Sequence, residues 1–291
     1  MSDKTFDVIL VVICTILMIT FLYPLVYVLA SSFSSGSAIS AGRVFLWPVD
    51  FSLYGYKWVF SNKIIWTGYK NTIIYAVLGT LVHLFMTICL AYPLSRRNYQ
   101  GKGFVQKYMT IAMLFGGGLI PTFIIVVNLG LYDNPLWMIL TGCTSIGHAV
   151  MMRTYFQSNI PYELYESARI DGVSDIGYLL KVVLPLSKAV LSVITLYALV
   201  GKWNEYMTPL LYLRNREYYP LQLIVNEMLN ATKMDTSQIS QADQQLLEGM
   251  QAQLDGVKYA LIVVAVVPML AIYPFVQKFF EKGVTMGSIK G

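Results

Sequence analysis

The 291 residues predict an all-α integral membrane fold, a single domain over 1–291 with six transmembrane helices and both termini in the cytoplasm. Three observations carry this reading. The chain is 56% hydrophobic and 13% charged, whereas soluble domains carry about a quarter charged residues. Its apolar runs are long: Val8–Ala30 alone has 23 residues, enough at ~1.5 Å per residue to cross a ~30 Å hydrocarbon core. Finally, the segment 96–107 holds Arg96, Arg97, Lys102 and Lys107 with no acidic residue, while the short loop Gly130–Asn134 across the next span has neither Lys nor Arg. Basic short loops stay on the cytoplasmic side, which orients every span.

The spans are expected at about 8–30, 71–94, 108–129, 136–155, 186–200 and 257–280. The first is a retained helix, because its apolar region is too long for a signal peptide and Asp3 and Asp7 precede it. Pro24 predicts a kink in it. The segment 31–70 carries Trp47, Trp58 and Trp66. These suit the membrane interface better than sugar stacking. The third span contains Gly116, Gly117, Gly118 and Pro121, which free backbone groups that neighbours or cavity water must satisfy. Two uses stay open for Gly117 and Gly118: lining a translocation path, or letting helices pack closely. His148 in the fourth span is expected to hydrogen-bond to a neighbouring helix.

The fifth span continues into Lys202, Trp203, Asn204, Glu205 and Tyr206. Such a patch is costly at membrane depth unless it faces protein or water. Trp203, Asn204 and Tyr206 therefore belong either beside a translocation cavity or in an interfacial belt. The outer loop 201–256 is polar, with a helix expected over 244–254. Cys14, Cys89 and Cys143 lie in apolar runs and read as small packing residues, with no disulfide framework or zinc spacing. The net charge of +5 fits a cytoplasmic Lys/Arg excess, not a nucleic-acid surface.

The segment 161–185, PYELYESARIDGVSDIGYLLKVVLP, is charged and lies between apolar stretches. Pro161 suits a first helical turn, and Glu163 and Glu166 follow near its positive end. Gly172 ends that helix in the left-handed conformation, and Ser174 caps a second one. In the second, Ile176, Leu179, Leu180, Val183 and Leu184 fall at i, i+3, i+4, i+7 and i+8, one apolar stripe.

This segment resembles the "EAA" loop of permease subunits of ATP-driven importers, with the pattern E-A-A-x3-G-x9-I-x-L-P. Glu166, Ala168, Gly172, Leu184 and Pro185 match it, Ser167 replaces its second position, and Val182 replaces its isoleucine. The glycine-rich tail 283–291, ending Lys290-Gly291, is similar to that of the maltose-type, carbohydrate-uptake branch. Residues 117–122, 152–158 and 219–223 resemble a subgroup for complex oligosaccharides from plant cell walls or host glycans.

The resemblance implies a subunit that forms half of a translocation path for an oligosaccharide in the bacterial cell membrane, surrounded by membrane lipid. Its implied partners are a second, different permease, two ATPase subunits and an extracellular solute-binding protein. In that family the first short helix of the loop enters a groove of the ATPase. Gly172 would be the pivot, with Glu166 and Asp171 making polar contacts to the ATPase or to the second short helix. The chain has no G-x4-G-K-[ST] phosphate loop, so ATP and Mg would be bound by the partner ATPase subunits. No catalytic, cofactor or metal residues are expected. An ion-coupled carrier or channel fits less well, since the spans are nearly free of charge and show no repeat. A non-transporting scaffold that docks a soluble partner would leave the glycine-rich third span without a use.

Overall fold

The structure, a computed structural model, describes residues 3–231, 254–272 and 274. The expected helix over 244–254 lies almost entirely outside these residues, as do the tail 283–291 and the end of the sixth span. Among the described residues every regular element is helical. In order they are α1 (Asp3–Ser32), α2 (Gly36–Ser40), α3 (Tyr54–Ser61), α4 (Lys63–Ser95), α5 (Lys102–Leu114) and α6 (Leu119–Asn128). Then come α7 (Pro135–Leu140), α8 (Ile146–Asn159), α9 (Glu163–Ile170), α10 (Asp175–Leu186), α11 (Lys188–Asn204), α12 (Met207–Tyr212), α13 (Leu221–Ala231) and α14 (Leu254–Ile272).

Three of these helices are long and apolar enough to cross a membrane: Phe6–Ser32, Lys63–Ser95 and Leu254–Ile272. Two bent pairs pass the same test together, α5 with α6 at 113° and α10 with α11 at 82°, giving up to five spans by length and composition. The bend between α5 and α6 falls at 115–118, on the glycines that foretold a break. The expected fourth span, 136–155, is two helices. Helix α7 stops at Leu140, and Gly142 takes a left-handed φ of +62° before α8 begins. Helix α1 continues through Pro24. From Phe6 to Leu25 its side chains are exposed on every face, as suits a helix surrounded by lipid.

The chain packs as two units, one made of residues up to Thr67 with the described part of Ile224–Pro268, the other centred on Gly68–Leu223. In the first, Ala30, Ala38, Ile39 and Val44 form a small core against which Tyr27 and Tyr259 pack. A Cβ on Gly55 would lie 2.5 Å from the Gly256 carbonyl, so α3 and α14 meet backbone to backbone there. In the second unit one core joins Ala91 and Tyr92 of α4, Met152 and Phe156 of α8, Tyr178 and Val183 of α10, and Val190 and Ile194 of α11.

Helix α4 begins eight residues before the expected span and buries a polar row, Thr72, Thr80, His83 and Thr87. Thr72 Oγ1 accepts from the Leu221 N–H at 2.8 Å. Asn71 Nδ2 donates to the carbonyls of Glu217 and Tyr219 at 2.7 and 3.0 Å. These bonds tie the start of the expected outer loop to α4. Cys14 and Cys89, read as packing residues, are instead exposed on their helices.

Candidate functional site

The segment 161–185 folds as two short helices joined by a tight turn. Pro161 stands just before α9 and not within its first turn; its carbonyl accepts from the Leu164 N–H at 3.3 Å. Gly172 has φ +76°. Its N–H donates to the Arg169 carbonyl at 3.1 Å and the Val173 N–H to the Ala168 carbonyl at 2.9 Å, the paired bonds of a Schellman ending. Ser174 Oγ then accepts from the Gly177 N–H at 3.1 Å and caps α10.

Helix α10 widens at Leu179–Val183, where the Leu184 N–H reaches back to the Leu179 carbonyl. Pro185 follows directly. It has no N–H, and its ring would crowd the carbonyl one turn back, so a wider turn accommodates it. The buried face of α10 differs from the expected stripe. Tyr178 and Val183 are buried and Leu179 and Val182 pack beside them, while Ile176 and Leu180 are 70% and 59% exposed. Tyr178 takes the core position because its ring meets Tyr165 edge-on at 5.3 Å and the Arg96 guanidinium at 4.7 Å.

Glu166, Ser167, Asp171 and Pro185 are exposed, Leu184 is half-buried, and Ala168 packs against the core that joins α4, α8, α10 and α11. Asp175 makes the bridge between the two short helices. Its Oδ1 accepts from the Tyr165 hydroxyl at 3.1 Å, and its carbonyl accepts from the Tyr92 hydroxyl at 2.8 Å. Desolvation, with the Asp175 carboxylate as hydrogen-bond acceptor, raises the Tyr165 phenol above its ordinary range.

A second site is a cavity of about 480 Å³ whose lining includes His83, His148, Tyr197, Lys202, Asn204 and Tyr206. His83 Nδ1 lies 2.8 Å from the Gly142 carbonyl, and His83 Nε2 lies 2.9 Å from His148 Nδ1. A carbonyl only accepts, so Nδ1 of His83 carries the hydrogen. In the neutral ring Nε2 then accepts from His148 Nδ1–H. Tyr197 stacks on His148 with centroids 5.7 Å apart. Lys202 Nζ donates to the carbonyls of Met138 and Thr141, at the end of α7, and lies 3.8 Å from Glu205 Oε2. Thr208 Oγ1 donates to the Glu205 carboxylate.

The cavity brings together Asn204 and Tyr206 of the residues foreseen for a path. Trp203 is 4% exposed and packs against Tyr69, off the cavity lining. Gly117 and Gly118 are exposed in the break before α6, and a Cβ on Gly117 would meet nothing within 4 Å. Among the described residues no other helix packs closely on them. His83, Arg96, Tyr165 and Tyr178 were missed in sequence. For His83 a signal existed, since the chain's two histidines both fall in apolar stretches. Among the described residues no group of three His, Cys, Asp or Glu side chains converges as a metal site.

Comparison with known proteins covers most or all of the chain. Residues 64–286 match the family described as the binding-protein-dependent transport system inner membrane component. Protein LplC of Bacillus subtilis strain 168 is 37% identical, over 92% of this chain and 89% of that protein. The polygalacturonan/rhamnogalacturonan transport system permease protein YtcP of the same strain is 35% identical over 100% of both chains. A chain in the crystal structure of a bacterial ABC transporter involved in the import of the acidic polysaccharide alginate superposes with a TM-score of 0.86 at 34% identity, covering 96% of this chain and 98% of that one. The two-helix loop, the broken apolar helices and these matches agree: the chain belongs to the family of inner-membrane components of binding-protein-dependent ABC transport systems, a multi-pass membrane subunit of an importer whose ATP hydrolysis belongs to other subunits.

Proposed function

We propose that this chain forms half of the path by which an oligosaccharide enters the cell, with a second, different permease forming the other half. Two ATPase subunits bind ATP and Mg on the cytoplasmic side, and a solute-binding protein delivers the sugar from outside. In this proposal the chain crosses the membrane six times, with both termini and the 161–185 loop in the cytoplasm, an orientation that the basic segment 96–107 supports. The observation that carries the coupling role is the outward surface of α9 and α10. Ile170, Ile176 and Leu180 are 86%, 70% and 59% exposed, and Glu166 and Asp171 are exposed on the same loop, so the loop offers both apolar and charged side chains to a protein groove.

The sugar class is supported by relatives named for polygalacturonan, rhamnogalacturonan and alginate. It is also supported by the cavity, where Asn204, Tyr206 and His148 offer donors and acceptors and Tyr197 an aromatic face. The test is ATP hydrolysis by the reconstituted complex, with binding proteins loaded from a panel of galacturonate, rhamnose-containing and arabinose oligomers. Stimulation by at least one loaded form is expected. An assembled, ATP-hydrolysing complex that responds to none overturns the oligosaccharide reading.

A further inference from the structure

The Arg96 guanidinium is flanked by tyrosine rings from three helices. Its central carbon lies 4.5 Å from the ring centroid of Tyr92 on α4, 4.9 Å from that of Tyr165 on α9 and 4.7 Å from that of Tyr178 on α10. Among the described residues no carboxylate forms an ion pair with Arg96, and its Nε is buried without a hydrogen-bond partner. The charge is therefore held chiefly by the faces of the three rings. Arg96 directly follows α4, turned back by its N–H donating to the Pro93 carbonyl at 3.0 Å. Thirteen residues earlier on the same helix, His83 lines the cavity, roughly 20 Å away at ~1.5 Å per residue.

We infer that Arg96 is the positioning residue that makes the 161–185 loop and α4 move as one body, so that displacement of the loop reaches the cavity through α4. The inference rests on the reading that this loop docks the ATPase. A ring face holds a guanidinium without fixing one hydrogen-bond direction, so the grip survives small shifts of α9 and α10 against the helix end. The exposed side chains of the loop, Ile170, Ile176 and Leu180, form no part of the cage. Removing Arg96 thus spares the docking surface and loosens only the link behind it.

The experiment uses the complete reconstituted importer and whichever loaded binding protein stimulates the wild-type complex most. Arg96→Met keeps side-chain length without charge, Arg96→Lys keeps charge without the flat guanidinium, and Tyr165→Leu removes one ring. Tyr165→Phe keeps the ring and loses the hydroxyl. Expected for Arg96→Met is wild-type ATPase-subunit content and basal hydrolysis, with binding-protein stimulation and sugar moved per ATP lower by about fivefold or more. Arg96→Lys and Tyr165→Leu should fall between, and Tyr165→Phe, which keeps the ring and loses the hydroxyl bond to Asp175, should fall less than Tyr165→Leu.

Unchanged stimulation and stoichiometry in Arg96→Met would overturn the inference. So would loss of uptake in strict proportion to lost ATPase subunit in Arg96→Met, Arg96→Lys and Tyr165→Leu alike, which would make the cage a folding element only. Failure of the underlying reading is distinct: the wild-type complex itself would retain no ATPase subunit, and both would fall together.

Discussion

Lys202 donates from Nζ to the Thr141 carbonyl at 2.6 Å, and the same ammonium reaches the Met138 carbonyl at 2.8 Å. A lysine within the last turn of an apolar helix thus answers carbonyls freed where the 136–155 stretch breaks. Gly79 makes room for it: a Cβ there would lie 2.9 Å from Lys202 Cε. Replacing Lys202 by methionine keeps the stem and leaves two carbonyls without a donor, at about 1–3 kcal/mol each. Lys202→Met should lower the thermal midpoint of the purified subunit, and Gly79→Val should do so in part by displacing the lysine stem. A midpoint unchanged in Lys202→Met would show that the break is held by other contacts.

Asp133 plays a comparable part in the loop between α6 and α7. Its Oδ1 accepts from the Asn215 and Arg214 N–H groups at 2.9 and 2.8 Å, and these bonds hold its carboxyl below the ordinary value of 3.8. A carboxylate depressed by folding stabilises the folded state fully above its ordinary pKa, and that contribution disappears as pH falls through the lower, folded pKa. Hydrogen-exchange protection of the Arg214 and Asn215 amides should therefore hold at neutral pH and weaken on acidification below 3.8. Asp133→Ala should show weak protection throughout. Equal protection in wild type and Asp133→Ala at neutral pH would remove the carboxylate from the account.

Asn204 lines the cavity and is exposed to it, whereas its neighbour Trp203 is packed away. Asn204→Leu keeps approximate volume and removes both the amide donor and acceptor. It should leave subunit levels and bound ATPase unchanged while raising the sugar concentration needed for half-maximal uptake. Tyr206→Phe, which loses only a hydroxyl, should have the smaller effect. Uptake and stimulated hydrolysis identical to wild type in Asn204→Leu would withdraw the path role from this cavity.

What was legible in sequence was local. Gly172 and Ser174 were readable because a left-handed ending and a side-chain cap depend on adjacent backbone alone. The three glycines at 116–118 announced a break for the same reason. The break at Gly142 was hidden, since one glycine inside an apolar run is commonly tolerated in a helix. Its supports, Lys202 and the ring of His83, come from distant parts of the chain. The buried face of α10 was misjudged on similar grounds. Periodicity counts Ile176 and Leu180 as core, but Arg96 and Tyr165 select Tyr178, and no local pattern records that choice.

The loop turn offers the sharpest test of the docking reading. Gly172 has φ +76° and open space where a Cβ would stand, with nothing within 4 Å. Substitution there is opposed by backbone conformation and not by crowding. An L-residue in the left-handed region costs on the order of 1–2 kcal/mol, and a β-branched one more, whereas asparagine enters it readily. Gly172 itself is exposed, while Ala168 and Val173 on either side of the turn pack against the core that joins α4, α8, α10 and α11, so its strain should fall on the loop and its seating and leave the membrane helices intact. Gly172→Val is therefore expected to reach the membrane at wild-type levels, to retain less ATPase subunit on purification, and to lose uptake, with Gly172→Asn close to wild type. Glu166→Lys, acting through charge on the exposed face of α9, should weaken retention more mildly. Full transport with stable assembly in Gly172→Val would reduce the segment to a connector between helices and remove the main structural support for coupling through it.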